Sequence, residues 1–230
     1  LNSTNKTAIL VFARSAQQDA EQKGLVNGDL LFHALTNATL NKVKRTKLPY
    51  FHITEMEQQG DSFGARFVNA IESIYAQGFD AVITIGNDSP QLQSKHLLCA
   101  YEQLQLGHTV LGPSLDGGFY LMGLHKSKFD SQLFLRLPWQ RFGLFQRILQ
   151  AVQTDKDAVF ELPVLAEIDS LRDLIRLGNF VKTIPLYLRS FLHYFIPQSF
   201  WLPAKKLGNV IDEYALNLKN KGSPLFFSIQ

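Results

Sequence analysis

Residues 81–124 read AVITIGNDSPQLQSKHLLCAYEQLQLGHTVLGPSLDGGFYLMGL, and the way this stretch is punctuated decides the fold. Ala81 to Ile85 carry no polar alternation, only one Thr among Ala, Val and Ile. That is the pattern of a parallel strand covered by helices on both faces, which places it centrally in its sheet. The strand stops at Gly86-Asn87-Asp88-Ser89-Pro90. An amphipathic helix over Ser94 to Leu106 follows, with Leu97, Leu98, Tyr101 and Leu104 inward. A strand over His108 to Pro113 then runs into Asp116-Gly117-Gly118 and out again through Phe119 to Leu124.

In open α/β sheets, ligands bind in the crevice beyond the carboxyl ends of the strands. Asp88, three residues past Ile85, stands where that crevice would be. An Asp before Ser-Pro also caps turns and helices by accepting backbone N–H bonds, so residue type leaves both roles open. Asp116 adds weight to the ligand role. Two glycines follow it, and the chain returns at once to a strand, so the backbone there can approach a ligand with no Cβ in the way.

Asp88-Ser89-Pro90 followed by Leu111-Gly112-Pro113-Ser114-Leu115-Asp116-Gly117-Gly118-Phe119-Tyr120-Leu121-Met122-Gly123-Leu124 resembles a bacterial GT-A-fold glycosyltransferase family of the nucleotide-diphospho-sugar transferase superfamily. That family is related to the molybdenum-cofactor and 2-phospholactate guanylyltransferases. The resemblance implies a GT-A domain over residues 1–180: a Rossmann-like three-layer α/β/α sandwich whose sheet is mostly parallel, with Phe119 to Leu124 running opposite to its neighbours. It also implies a metal-dependent transferase with a nucleotide-activated donor, foremost a glycosyltransferase using a nucleotide sugar. Nucleotidyl transfer from a nucleoside triphosphate to a small phosphorylated acceptor is the alternative. A non-catalytic ligand-binding or assembly domain is a third reading. Both reactions build negative charge on a leaving phosphate, which Mg²⁺ or Mn²⁺ held by one or two carboxylates can stabilise.

By the same resemblance Asp88 is the principal metal ligand, and Asp116 orients the acceptor or acts as general base. Gly117 and Gly118 lie against the sugar or acceptor phosphate. Glu167-Ile168-Asp169-Ser170 matches a D-x-D-[ST] segment of the relatives with Glu in place of the first Asp, which makes Asp169 the second metal ligand. Ser170 with Asp173 also reads as a capping box. The loop after the first strand holds nucleotide phosphates in such enzymes, and Arg14 and Lys23 are the residues available for it here. The glycine-rich pattern of many members is missing from it. Gln58 to Arg66 resembles Q-x-G-x-D-x-G-x-R, a loop bordering the nucleotide, which brings in Asp61 and Arg66. Relatives carry Trp-Ser-Thr where this chain has Trp139-Gln140-Arg141; Trp139 reads first as a core residue, with a wall of the acceptor pocket as the alternative.

Outside these motifs, Thr7 to Ala13 reads as the first buried strand, feeding a polar loop that ends near Lys23-Gly24. Asn27 to Thr46 has a helical period, and Leu48 to Thr54 reads as a second strand. A helix follows Asp61 or Ser62, either of which is a good N-cap. Ser131 to Gln150 is helical after Pro138, and Asp157 to Ile168 carries the last strand. His96, His108 and His125 lack metal-ligand spacing and read as structural.

Hydrophobic residues make up 46% of the 230 positions, 18 of them Phe, which suits one α/β domain with a substantial core. A net charge of +3 is too small to argue for nucleic acid, and it is unevenly placed: residues 181–230 hold six Lys or Arg against two acids. The lone Cys99 offers no internal disulfide. No secretory h-region opens the sequence and no long apolar run crosses it, so the expectation is a cytoplasmic enzyme. Residues 181–230 form an aromatic, basic extension, expected to pack on the domain or on a second subunit of a homo-oligomer. Contact of Arg189, Lys205 and Lys206 with anionic lipid is the minority reading.

Overall fold

Ala81–Ile85 forms strand β3 with all five residues buried, and every other strand is placed by reference to it. In this computed structural model residues 5–24, 28–141, 143–153, 159–170 and 173 are described. Thr7–Phe12 (β1) pairs with β3 in parallel, and Tyr50–Ile53 (β2) pairs in parallel with the far side of β1. On the other side Phe119–His125 (β5) runs antiparallel to both β3 and Thr109–Pro113 (β4). Val159–Glu161 (β6) joins β4 in parallel. The sheet order is β2-β1-β3-β5-β4-β6. The link between β4 and β5 is too short for a crossover and can only reverse the chain, so β5 is antiparallel, as the family resemblance implied.

Helices cover both faces, which is why the strands lack polar alternation. Phe63–Ala76 (α3), with Ser131–Leu135 (α5) and Leu144–Val152 (α6), packs on a face built from Ala8, Leu10, Val82, Leu111, Met122 and Leu124. Asp29–Arg45 (α2) and Ser94–Gln105 (α4) lie on the opposite face, against Ile9, Val11, Ile83, Ile85 and Val110.

Three segments differ from expectation. The polar loop after β1 contains a helix, Ala16–Gln22 (α1), started by Ser15, whose hydroxyl accepts from Gln18 N–H at 3.4 Å. Ser15-x-x-Gln18 is a capping-box signature that the polar composition hid. The helix expected after Pro138 starts only at Leu144: Gln140 has φ 59° and Gly143 has φ 78°, left-handed values that an α-helix does not contain. The last strand is short, with a further isolated bridge at Ser114–Leu165 beyond Pro163. Residues 181–230, and with them the expected extension and its contacts, lie outside the described residues.

Candidate active site

Backbone pairing, before any side chain, brings distant acids to one edge of the sheet. Asp88 follows the carboxyl end of β3, and the β4–β5 turn carrying Asp116 opens beside it because β5 lies between β3 and β4. The segment after β6 is then stitched on. Leu115 N–H donates to Leu165 O at 3.0 Å, Leu165 N–H to Pro113 O at 3.1 Å, and Ile168 N–H to Asp88 O at 2.9 Å. Glu167 and Asp169 flank that last bond. These ends surround a cleft of about 820 Å³, lined also by Ala13, Arg14, Asp19 and Lys23 from the end of β1 and from α1.

Oxygens of Asp116, Glu167 and Asp169 lie within 4.8 Å of one another. Burial pushes the Glu167 carboxyl well above its usual range, and the charges of Asp88, Asp116 and Asp169 push the same way. Asp169 is also raised, by burial and then by Asp88, with the Lys23 ammonium opposing. With 52% of the Asp169 side chain exposed, water screens that shift, and it is weaker than the one on Glu167. The cluster thus holds more negative charge than it neutralises, and its donors are hard oxygens of the kind Mg²⁺ and Mn²⁺ take. The residues fit such an ion.

Lys23, the C-cap of α1, is the counter-charge inside the cluster. Its ammonium is 3.2 Å from Asp88 Oδ2 and 3.4 Å from Asp169 Oδ1, and it donates to Ile168 O at 2.7 Å. The Phe32 ring centroid lies 5.1 Å away. Burial alone would lower the Lys23 pKa, but Asp88, Asp169 and Asp19 outweigh it and hold it above the ordinary lysine value. Asp19 is itself buried, and its pKa is raised by that burial against the hydrogen bond from Asn87. Asn87 Nδ2 donates to Asp19 Oδ2 at 3.0 Å and to Thr36 Oγ1 at 2.8 Å, fixing the loop that carries Asp88.

The capping alternatives for the acids resolve separately. The Asp88 carboxylate is held by Lys23. Ser170 and Asp173 bond one another, Oγ to Oδ2 at 2.7 Å, so the capping box uses these two and leaves Asp169 to face Lys23. Asp116 does hold its own turn: Oδ1 accepts from the Ser114 hydroxyl and from Gly118 N–H. Both bonds fall on one oxygen, so the turn engages half the carboxylate. Gly117, at φ 91°, supplies the backbone conformation that this turn requires.

The other side of the cleft is aromatic. Trp139 packs on Phe67 and Phe63, with centroids 4.9 and 5.4 Å apart, and its indole N–H donates to Phe134 O at 2.8 Å. The ring lies directly over Gly64, where a Cβ would meet it at 2.5 Å. With Phe12, Phe63, Phe67 and Phe119, Trp139 forms a wall of the cleft as well as part of the core.

Of the residues expected at a site, Arg14, Lys23, Asp88, Asp116, Gly117, Gly118 and Asp169 line this cleft. Asp61 and Arg66 are not among its lining residues. Asp61 is exposed ahead of the α3 N-cap, which is Ser62, accepting from Ala65 N–H at 3.1 Å. Arg66 turns back onto its own loop and donates to Gly60 O at 3.4 Å. Sequence reasoning did not nominate Glu167, Asp19, Asn87 or the phenylalanines of the aromatic wall, and it gave Trp139 a core role first and a wall of the acceptor pocket second. Only Glu167 had a signal, its place in the acidic motif. The histidines are structural as expected: His96 accepts from Gln93 N–H in the α4 capping box, and the His125 ring bonds Leu104 O at 2.7 Å. Among the described residues no helix is long and apolar enough to cross a membrane.

The "putative nucleotide-diphospho-sugar transferase" of Desulfovibrio desulfuricans G20 superposes with a TM-score of 0.68 at 20% identity, over 94% of this chain and 98% of that one. Rv0371c of Mycobacterium tuberculosis H37Rv superposes with a TM-score of 0.50 at 14% identity, over 76% of this chain and 98% of that one. At these identities the likeness establishes a Rossmann-like nucleotide-diphospho-sugar transferase fold. No protein of curated function matches the sequence. A family model described as an uncharacterized protein conserved in bacteria, DUF2064, matches residues 13–141. That match spans more than half of the sequence and includes the Asp88 and Asp116 turns, so the chain belongs to the DUF2064 family.

Proposed function

We propose that this protein is a metal-dependent transferase that moves a glycosyl group from a nucleotide sugar to a small acceptor. The observation that carries the reading is the gathering of Asp88, Asp116, Glu167 and Asp169 in one cleft at the strand ends, with Lys23 between Asp88 and Asp169. Asp169, Glu167 and Asp88 are the residues that would hold Mg²⁺ or Mn²⁺. When bound, the ion supplies positive charge against the leaving diphosphate.

The chain's own residues do the rest. Arg14 and Lys23 meet the donor's phosphates. Gly117 and Gly118 present bare backbone to the transferred sugar. Asp116 orients the acceptor hydroxyl and takes its proton as the new glycosidic bond forms and the bond from sugar to diphosphate breaks. The aromatic wall of Trp139, Phe63 and Phe119 excludes water from that half of the cleft and offers an apolar surface to the C–H face of a sugar. The same side also carries Arg141, the cation that a phosphorylated acceptor would meet, and nucleotidyl transfer is therefore the second reading.

A thermal-shift screen of UDP- and GDP-sugars and nucleoside triphosphates, with and without Mg²⁺ or Mn²⁺, tests the reading. Stabilisation by a nucleotide sugar that requires the metal, and that Glu167→Gln and Asp88→Ala each abolish, is the expected result. A wild-type protein indifferent to every nucleotide and metal combination would sink it.

A further inference from the structure

We infer that Lys23 is a built-in cation that closes Asp88 and Asp169 to a divalent ion until a donor's phosphate draws the ammonium away. This rests on the reading of the cleft as a metal-dependent transferase site, and it adds an order of binding: the ion enters with or after the donor.

A lysine ammonium has three N–H donors and no acceptor. Three oxygens surround that of Lys23: Asp88 Oδ2 at 3.2 Å, Asp169 Oδ1 at 3.4 Å and Ile168 O at 2.7 Å. None of its donors is left for a phosphate. If Lys23 meets a donor phosphate, it must release at least one of these oxygens, and the carboxylates are what release would free.

Charge gives the same exclusion from the other side. Asp169 belongs to the group whose oxygens converge within 4.8 Å. An ion gripping the oxygen that now faces Lys23 would lie within a few ångströms of the ammonium. Two cations so close repel strongly in a partly buried setting. The Lys23 side chain is only 11% exposed, so water screens that repulsion poorly. A compact charge on a flexible four-carbon stem is suited to such a swing. The Phe32 ring, 5.1 Å from the ammonium, holds it in the closed position without supplying a fourth oxygen.

The test is Mn²⁺ binding to the full chain without nucleotide, read by calorimetry and by the electron paramagnetic resonance of free Mn²⁺. Lys23→Met and Lys23→Gln each remove the charge, and the glutamine keeps a donor for Ile168 O should the methionine variant fold poorly. Both are expected to bind Mn²⁺ at least ten-fold more tightly than the wild type. Arg14→Met removes the same charge from the cleft without touching Asp88 or Asp169, and is expected to change Mn²⁺ affinity less than two-fold. Equal Mn²⁺ affinity in the wild type and both Lys23 variants overturns the gate while leaving the transferase reading intact. An equal gain from Arg14→Met also overturns it, in favour of a general charge effect. No Mn²⁺ uptake by any of the chains removes both the gate and the metal-dependent reading.

Discussion

Replacing Gly64 by alanine sets two effects against each other, and the structure says which one wins. Gly64 lies in the first turn of α3, where Gly→Ala would ordinarily stabilise by at most about 0.5–1 kcal/mol through helix propensity. The new Cβ, however, would fall 2.5 Å from Trp139 Cδ1 and 2.6 Å from Nε1, against a comfortable separation of about 3.5–4 Å. The indole must therefore move by roughly an ångström. It is fixed by its bond to Phe134 O at 2.8 Å and by tilted stacking on Phe67 at 4.9 Å. Overpacking of this kind costs about 1–3 kcal/mol, and weakening the indole hydrogen bond costs about 1 kcal/mol more.

The balance is a net loss of about 1–3 kcal/mol, read as a lower urea midpoint at unchanged m-value. The same substitution in a Trp139→Leu background meets no ring. There only the propensity gain remains, and Gly64→Ala should be neutral or stabilising by a few tenths of a kcal/mol. The two changes should therefore couple by more than about 1 kcal/mol in a double-mutant cycle. If Gly64→Ala is harmless in the wild type, or equally costly in both backgrounds, Trp139 does not sit over Gly64 and the wall of the cleft is wrongly drawn.

Three other outcomes follow from single contacts. Tyr75→Phe removes the buried bond from the phenol to Leu124 O at 2.9 Å and should cost about 1–2 kcal/mol in chemical denaturation. Ser15→Ala removes the α1 cap and the bond to Glu55 Oε1 at 2.5 Å. It should cost about 1–2 kcal/mol and speed amide exchange across residues 16–22. Burial lowers the Lys42 pKa to about 8 from 10.5; below pH 8 the folded state carries the full cost of a buried ammonium, and between pH 8 and 10.5 it sheds the proton while the unfolded chain keeps it. Stability should rise with pH in that window, by about 1–2 kcal/mol between pH 8 and 9.5 relative to Lys42→Met; a flat difference between the two proteins across that range would refute the assignment.

The sheet was legible wherever burial on both faces left an uninterrupted apolar run. Ala81–Ile85 matched the expected strand at both ends, and β1, β4 and β5 came within a residue or so of their expected limits. Reading failed where local polarity concealed order. The segment after β1 looked like a loop because Gln, Asp and Glu dominate it, yet Ala20 and Asp19 are buried there and Ser15 caps the helix. After Pro138 the hydrophobic period suggested an immediate helix, and the left-handed backbone at Gln140 and Gly143 delayed its start to Leu144.

The site was legible to the extent that an acid announces itself by its turn. Asp88 and Asp116 sit in punctuation that one strand end each explains, and a motif supplied Asp169. What those acids do to one another was not in the local pattern, because it depends on residues far apart in sequence: Lys23 and Asp88 are separated by 65 positions, and Lys23 and Ile168 by 145. A surface lysine after a helix and a lysine saturated by three oxygens have the same neighbours in the chain. The difference is made by the antiparallel β5. By standing between β3 and β4, it opens the Asp116 turn beside the Asp88 loop. The bonds Leu165 N–H to Pro113 O and Ile168 N–H to Asp88 O then carry Glu167 and Asp169 across to the same edge. Acids assembled by backbone pairing raise one another's pKa, and Lys23 supplies a counter-charge from within the chain; under the proposed transferase reading, a divalent ion and a phosphate would both act by displacing it.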